Sequence, residues 1–240
     1  NLFPMNTTAI GQNHPNSGTY SPIEEANWAN LHYPLGAHHQ EENTTFAVYS
    51  RNATHVLLEI YGQAMGEDAK YDYWMSKNPQ DDIWRANIAQ VPHGTFYAFR
   101  CWGSNWEYVE GWQRGHSNVG FKADVDGEGN RFNPNSVLFD PYSRELSHDK
   151  ESKAMAAAGV DGGIYATGGA DYKGVVSREY DTGKWVPKGI VLAKDTTSTG
   201  IRPLIPPRNS IIYEAHLRGL TQHSSSSRLE TILKGIEGFE

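Results

Sequence analysis

Val56–Tyr61, VLLEIY, decides the fold. In an extended chain it sets Val56, Leu58 and Ile60 on one face and Leu57, Glu59 and Tyr61 on the other. The same period of two recurs on either side. Phe46 and Val48 share a face within Thr45–Tyr49, and Trp84, Ala86 and Ile88 share one within Trp84–Ile88. Phe96–Trp102 (FYAFRCW) is apolar on both faces and reads as a central strand. Gly, Pro, Asn and Asp separate these runs, which is the pattern of an antiparallel β-sandwich of immunoglobulin-like kind.

Outward from this nucleus the pattern weakens. Residues 1–32 are polar and without period, and read as an extended arm whose Trp28 and Leu31 dock on the body that starts at Tyr33. The sandwich is assigned to residues 33–125. Residues 126–208 read as an irregular connecting segment with Gly-rich turns at Asp126–Gly129, Gly159–Gly163 and Gly168–Gly169. A stretch that long without regular structure implies a covering role. Ile201–Pro207 (IRPLIPP) is extended and marks a boundary. Beyond it Ile211–Leu217 reads as a buried strand. Ser227 and Glu230 then stand at capping-box spacing before a helix whose apolar stripe is Leu229, Ile232, Leu233 and Ile236.

Composition narrows the function. The chain has 240 residues, 38% hydrophobic and 20% charged, with a net charge of −7. No basic stripe invites nucleic acid or an anionic membrane surface, and no apolar run reaches the roughly 18–20 residues of a membrane span. Seven Trp and thirteen Tyr suit a β-rich core, and they also suit sugar binding, because flat ring faces match the C–H faces of pyranoses. The single Cys101 cannot form an internal disulfide and its apolar neighbours imply a buried thiol. The compartment stays open, leaning to a secreted or periplasmic one.

Several blocks in order resemble a known family. Leu35–Tyr61, with Leu35-Gly36-Ala37, Phe46-Ala47-Val48 and Ala53–Leu58, is similar to the opening strands of the carbohydrate-binding module family 48 sandwich. Ile83-Trp84 and Pro92–Arg100 resemble its closing strands. Trp102–Trp106, Val119-Gly120-Phe121, Arg131–Asn135, Asp140-Pro141-Tyr142 and Lys184–Leu192 resemble isoamylase-type debranching enzymes. Ile212–Thr221 (IYEAHLRGLT) resembles the first strand of the (β/α)8 barrel of glycoside hydrolase family 13. Residues 209–240 would then be a truncated barrel start.

The resemblance implies retaining hydrolysis of α-1,6 branch linkages in glycogen or amylopectin, by an Asp nucleophile and a Glu acid/base. Both would stand on later barrel strands, so no catalytic residue is assigned within this chain. It implies α-glucan as partner; the unpaired edges of the last strand separately call for a cover, from the sandwich, another copy of the chain or, preferred, the remainder of the barrel. The competing reading is a stand-alone, non-catalytic glycan-binding or regulatory module. Trp102, Trp106, Tyr108 and Trp112 are the candidate carbohydrate-binding residues. Two roles are open to them, stacking on glucan or sealing the sandwich against the barrel, and sealing is favoured. Asp149 matches the position that supplies one carboxylate to a structural calcium, the other ligands lying in barrel loops. Asp124, Asp126 and Glu128 begin like a calcium loop but lack the terminal Glu, so a tight turn at Gly129 is the better reading. Glu214 and His216 read as structural groups.

Overall fold

The computed structural model describes residues 20–195, 197, 200–201, 204–211 and 214. The chain divides into two compact units, Asn1–Asp195 and Thr196–Glu240. The first is mainly β. Its strands are β1 (Gly36–His39), β2 (Asn43–Tyr49), β3 (Ala53–Tyr61), β4 (Tyr71–Trp74), β5 (Ser76–Asn78), β6 (Ile83–Ala89), β7 (Phe96–Gly103), β8 (Asp171–Tyr172), β9 (Val175–Val176) and β10 (Gly189–Ile190). Two four-stranded antiparallel sheets result, ordered β1-β2-β6-β5 and β10-β7-β3-β4, and β8 and β9 form a separate small hairpin.

The alternation read from the sequence is the alternation found. Phe46 and Val48 on β2, Trp84, Ala86 and Ile88 on β6, Val56, Leu58 and Ile60 on β3, and Tyr97 and Phe99 on β7 form one buried cluster. Register aligns these sets: Phe46 pairs with Ala86, Leu58 with Phe99 and Ile60 with Tyr97. The chain changes sheet between β4 and β5 at Met75, whose N–H still bonds to the carbonyl of Val56 at 3.0 Å. The arm docks as expected from Tyr20 onward: Ile23 and Ala89 exchange backbone bonds with Asn87 and Ser21, and Trp28 is fully buried in the core. Cys101 belongs to the same face but is only half-buried, a correction to the expectation of full burial. Burial pushes its thiol up to about 12.

The second face of the β10-β7-β3-β4 sheet is buried too. Leu57, Glu59, Ala98, Arg100 and Trp102 all have 2% exposure or less. What covers them is the segment from Ser104 to Pro187, so the unit has three layers: sheet, sheet and covering segment. The segment stays joined to the sheets beyond residue 125. The segment returns β10 to the edge of β7, Leu138 bridges Phe99, and the unit runs on to Asp195. Its one α-helix, α1 (Lys153–Ala157), is capped by Ser152, whose hydroxyl accepts from Met155 N–H at 3.2 Å. Close approach is built in at Gly103, where a Cβ would stand 2.0 Å from the ring of Phe132.

In the second unit the described residues hold a 3-10 turn, Pro207–Asn209. The barrel strand read at Ile211–Leu217, the role given to His216, and the helix stripe of Leu229–Ile236 lie outside the described residues, apart from Ile211 and Glu214.

A sheet covered on both faces has a measurable consequence. Leu57→Ala and Leu58→Ala point into opposite layers and are both fully buried. Each is expected to lower stability by about 2–5 kcal/mol, read from urea unfolding. A loss at Leu58 alone would mean that the covering segment contributes no packing.

Candidate functional site

The outer face of β3, β4 and β7 carries charge at its centre. Glu59 lies at 0% exposure among Arg100, Arg114 and Asp72, all within 2%. Arg100 donates from Nε to Glu59 Oε1 at 2.6 Å, from Nη1 to the Pro134 carbonyl at 2.7 Å and from Nη2 to Asp181 Oδ1 at 2.9 Å. Arg114 donates from Nε and Nη2 to Glu59 Oε1 at 2.9 and 2.6 Å, and from Nη2 to Asp72. Tyr61 Oη closes the other carboxylate oxygen of Glu59 at 2.5 Å. Asp181 also accepts the N–H groups of Gly115 and Gly183 at 3.0 and 2.9 Å. Lys188, fully buried, donates to the carbonyls of Ala64 and Val186 at 3.1 and 2.9 Å, and its Nζ sits 4.5 Å from the Tyr61 ring centre.

Three strands and three points of the covering segment therefore meet in one set of charged hydrogen bonds. Burial opposes ionisation of Glu59, but Arg100 and Arg114 outweigh it and hold the carboxyl below its ordinary range. Asp72 goes the other way. Burial, only partly offset by Arg114 and reinforced by Glu59, pushes it up to about 6. Burial lowers Lys188 to about 8. The cluster is closed to solvent and each acid in it faces an arginine, so it is a fastening and not an exposed acid/base pair.

An aromatic series leads from this cluster to the surface. Trp112 lies against the Arg100 guanidinium at 5.5 Å and edge-on to Trp102 at 5.3 Å. Trp102 touches Trp74 and Tyr108 at 5.4 and 5.5 Å. Trp74 and Tyr108 meet at 4.8 Å, and His55 caps both at 5.7 and 5.1 Å. Trp102, Trp106 and Trp112 are at most 1% exposed. The indole N–H groups of Trp102 and Trp112 find no acceptor, while that of Trp106 bonds to the Val119 carbonyl at 2.9 Å.

Three of the four candidate sugar-binding rings thus have no free face, and in this structure they seal the covering segment onto the sheet. Tyr108 is half-buried. Sequence reasoning missed its neighbours, half-buried Trp74 and exposed His55. The available signal was the alternation in Tyr71-Asp72-Tyr73-Trp74, which places Trp74 on the same face as Asp72.

The acidic loop is spent on the protein itself. Asp124 holds Arg178 through both oxygens at 2.8 and 2.9 Å. Asp126 accepts from Ser104 and Asn130 side chains and from the N–H groups of Glu128 and Asn130, and these bonds lower its carboxyl to about 2. Gly129 turns at φ +86°. Asp149 is exposed on a loop, and among the described residues no group of three or more His, Cys, Asp or Glu side chains is placed to hold a metal.

Two facing four-stranded antiparallel sheets define the class: a β-sandwich module. Residues 34–143 match the family described as carbohydrate-binding module 48 (isoamylase N-terminal domain). An isoamylase of Flavobacterium sp is 39% identical over 202 residues, 80% of this chain and 25% of that protein. An isoamylase of Pseudomonas amyloderamosa is 36% identical over 201 residues, 80% of this chain and 24% of that protein. The chain spans about a quarter of the length of these curated relatives. Among solved structures, the catalytic module of the glycogen-degrading pneumococcal virulence factor SpuA overlaps 85% of this chain and 23% of that one, at 14% identity and a TM-score of 0.44, too loose a likeness to carry an argument.

The charge cluster makes stability depend on pH. Asp72 has a folded value near 6, above its ordinary 3.8, so its contribution is fully present below the unfolded value and is lost as pH rises through about 6. Asp72→Asn keeps an acceptor for Arg114 and removes the titration. Urea unfolding either side of that pH is expected to show wild type losing stability relative to Asp72→Asn as pH rises, and parallel profiles would contradict it. Arg114→Met, which strands two carboxylates, is expected to cost about 3–5 kcal/mol at neutral pH.

Proposed function

We propose that this chain is the amino-terminal part of an isoamylase-type debranching enzyme, which hydrolyses α-1,6 branch linkages of glycogen and amylopectin with retention. One observation carries the reading: the likeness to isoamylases runs over about 200 residues, through the sandwich and on into the covering segment that encloses its charged face. A sandwich shared as a general binding module would not bring that third layer with it.

On this reading the chemistry belongs to carboxylates of the barrel beyond residue 209. Retention needs two carboxyl groups about 5–5.5 Å apart, one of them free to attack. The candidates described in this chain are committed elsewhere: Glu59 and Asp72 to Arg114, Asp124 to Arg178, and Asp126 to its own turn. The sandwich would hold glucan at Trp74, Tyr108 and His55, the rings of the series with exposure to offer. Leu138, Phe139, Tyr142 and Leu146 are each 40–50% exposed, which supports contact with the remainder of the barrel or with another copy of the chain. Asp149 would supply one carboxylate to a calcium ion completed by barrel loops, since calcium takes about six to eight oxygens. We place the whole protein in a secreted or periplasmic setting.

Purified chain is expected to release no reducing sugar from glycogen or amylopectin, whereas the chain extended through its barrel debranches both. An extended protein that binds glycogen and never cleaves it would return the stand-alone module. Calorimetry is expected to detect no stoichiometric calcium on the chain alone, and binding abolished by Asp149→Asn would mean that the chain holds its own ligand set. In glycogen-containing gels, Trp74→Ala and Tyr108→Ala are expected to weaken retention several-fold with the fold intact. Trp112→Ala is expected to destabilise the fold by about 3–5 kcal/mol. Unchanged retention in both surface variants would remove the ring group from the binding role.

A further inference from the structure

A cleft of about 700 Å³ opens at the other margin of the sandwich, between the β2–β3 turn and the loop that follows Gly129. Its size falls within the roughly 300–1,000 Å³ of small-molecule sites. Tyr49, at the end of β2, is 44% exposed on its rim, and Cys101 of β7 lies within it. It shares Arg131, Phe132, Asn133 and Thr167 with a smaller recess of about 90 Å³ that runs on to Trp106 and Arg178. With these four residues in common, the two recesses are treated as one groove.

The wall is built and fixed. Phe132 lies against Gly103, where no side chain intervenes. Its backbone is bracketed by one carboxamide: Asn105 Oδ1 accepts from Phe132 N–H at 2.8 Å, and Asn105 Nδ2 donates to its carbonyl at 2.9 Å. Across from it, Asn52 Nδ2 donates to Asn130 Oδ1 at 2.8 Å, which leaves the Asn52 carbonyl oxygen open. The guanidinium of exposed Arg131 takes no hydrogen bond or ion pair among the described residues. No carboxylate lines the larger part of the groove, in a chain of net charge −7.

Two ring faces, an unused multiple donor, an unused amide acceptor and hydroxyls of Ser136 and Thr167 suit a neutral polyol. A cation lacks a carboxylate here, and a purely apolar ligand would leave the guanidinium unpaired. We propose that this groove is a second binding site for a linear oligosaccharide, separate from the rings at Trp74 and Tyr108. The α-glucan identity of that oligosaccharide rests on the function proposed above. A chain held at both margins of one module would be aligned along it, where a single ring group would only tether it.

The test uses the chain's one cysteine as reporter. Alkylation of Cys101 by N-ethylmaleimide is followed at pH 9, because its thiol is pushed up and only the thiolate reacts, and maltohexaose is expected to slow it several-fold. Tyr49→Ala and Arg131→Ala, both at exposed positions, should abolish the protection, and Tyr108→Ala should leave it. Calorimetry with maltohexaose runs alongside. Heat of binding that Tyr108→Ala removes, with Cys101 unprotected throughout, overturns the groove and leaves the proposed function standing. Protection that persists in both Tyr49→Ala and Arg131→Ala also overturns it. No binding and no protection in any variant overturns both sugar sites, while the debranching assay on the extended protein judges the enzyme reading separately.

Discussion

The bond set of Glu59 with Arg100 and Arg114 is the constraint on which the rest of this structure depends. It ties β3 to β7, reaches Asp72 on β4, and through Asp181 and Pro134 fastens a covering segment that has almost no regular structure of its own. Charges taken out of water repay their desolvation only when geometry is good and remaining donors are satisfied. Here the guanidinium of Arg100 spends three nitrogens on three separate parts of the chain. The register of the loop over the sheet follows from where those acceptors sit.

This fastening explains why the covering layer behaves as part of the module. Loops bury little apolar area for each residue they order, and the ordering costs conformational entropy. Trp102, Trp106 and Trp112 supply the area. They fill the space between sheet and segment around the charged cluster, so water is kept from the ion pairs and the ion pairs stay strong. The same arrangement withdraws these three rings from any sugar. On the function proposed, binding would fall to the edge of the aromatic series and to the groove beside Phe132.

The sequence was legible where one face of a strand met a uniform environment. Phe46, Val48, Val56, Leu58, Ile60, Trp84, Ala86 and Ile88 alternate because the pleat alternates, and each was placed on its correct face. The site was less legible. An aromatic-rich run such as Cys101–Trp112 looks the same whether its rings stack on a ligand or on one another. The clue to the fastening was in plain view: VLLEIY and FYAFRCW each carry one full charge inside an apolar strand, of opposite sign. Strands buried on both faces are expected to be apolar on both, so each exception called for a partner. Pairing Glu59 with Arg100 needs the register of β3 on β7, and finding Arg114 and Asp181 needs the path of the loop.

The sequence by itself therefore determined the two sheets, their inward faces, the docking of Trp28 and the likeness of its ordered blocks to carbohydrate-binding module 48. These rest on local periodicity and on ordered blocks, which do not depend on distant contacts. The covering role of the irregular segment was read from its length, but only the tertiary structure decided which sheet face it covers, that Trp102, Trp106 and Trp112 are interior, and that Trp74 and His55 reach the surface. Those outcomes turn on which residues distant in sequence share the outer face of one sheet. Exposure of a ring is a property of what packs over it, and no spacing along the chain records that.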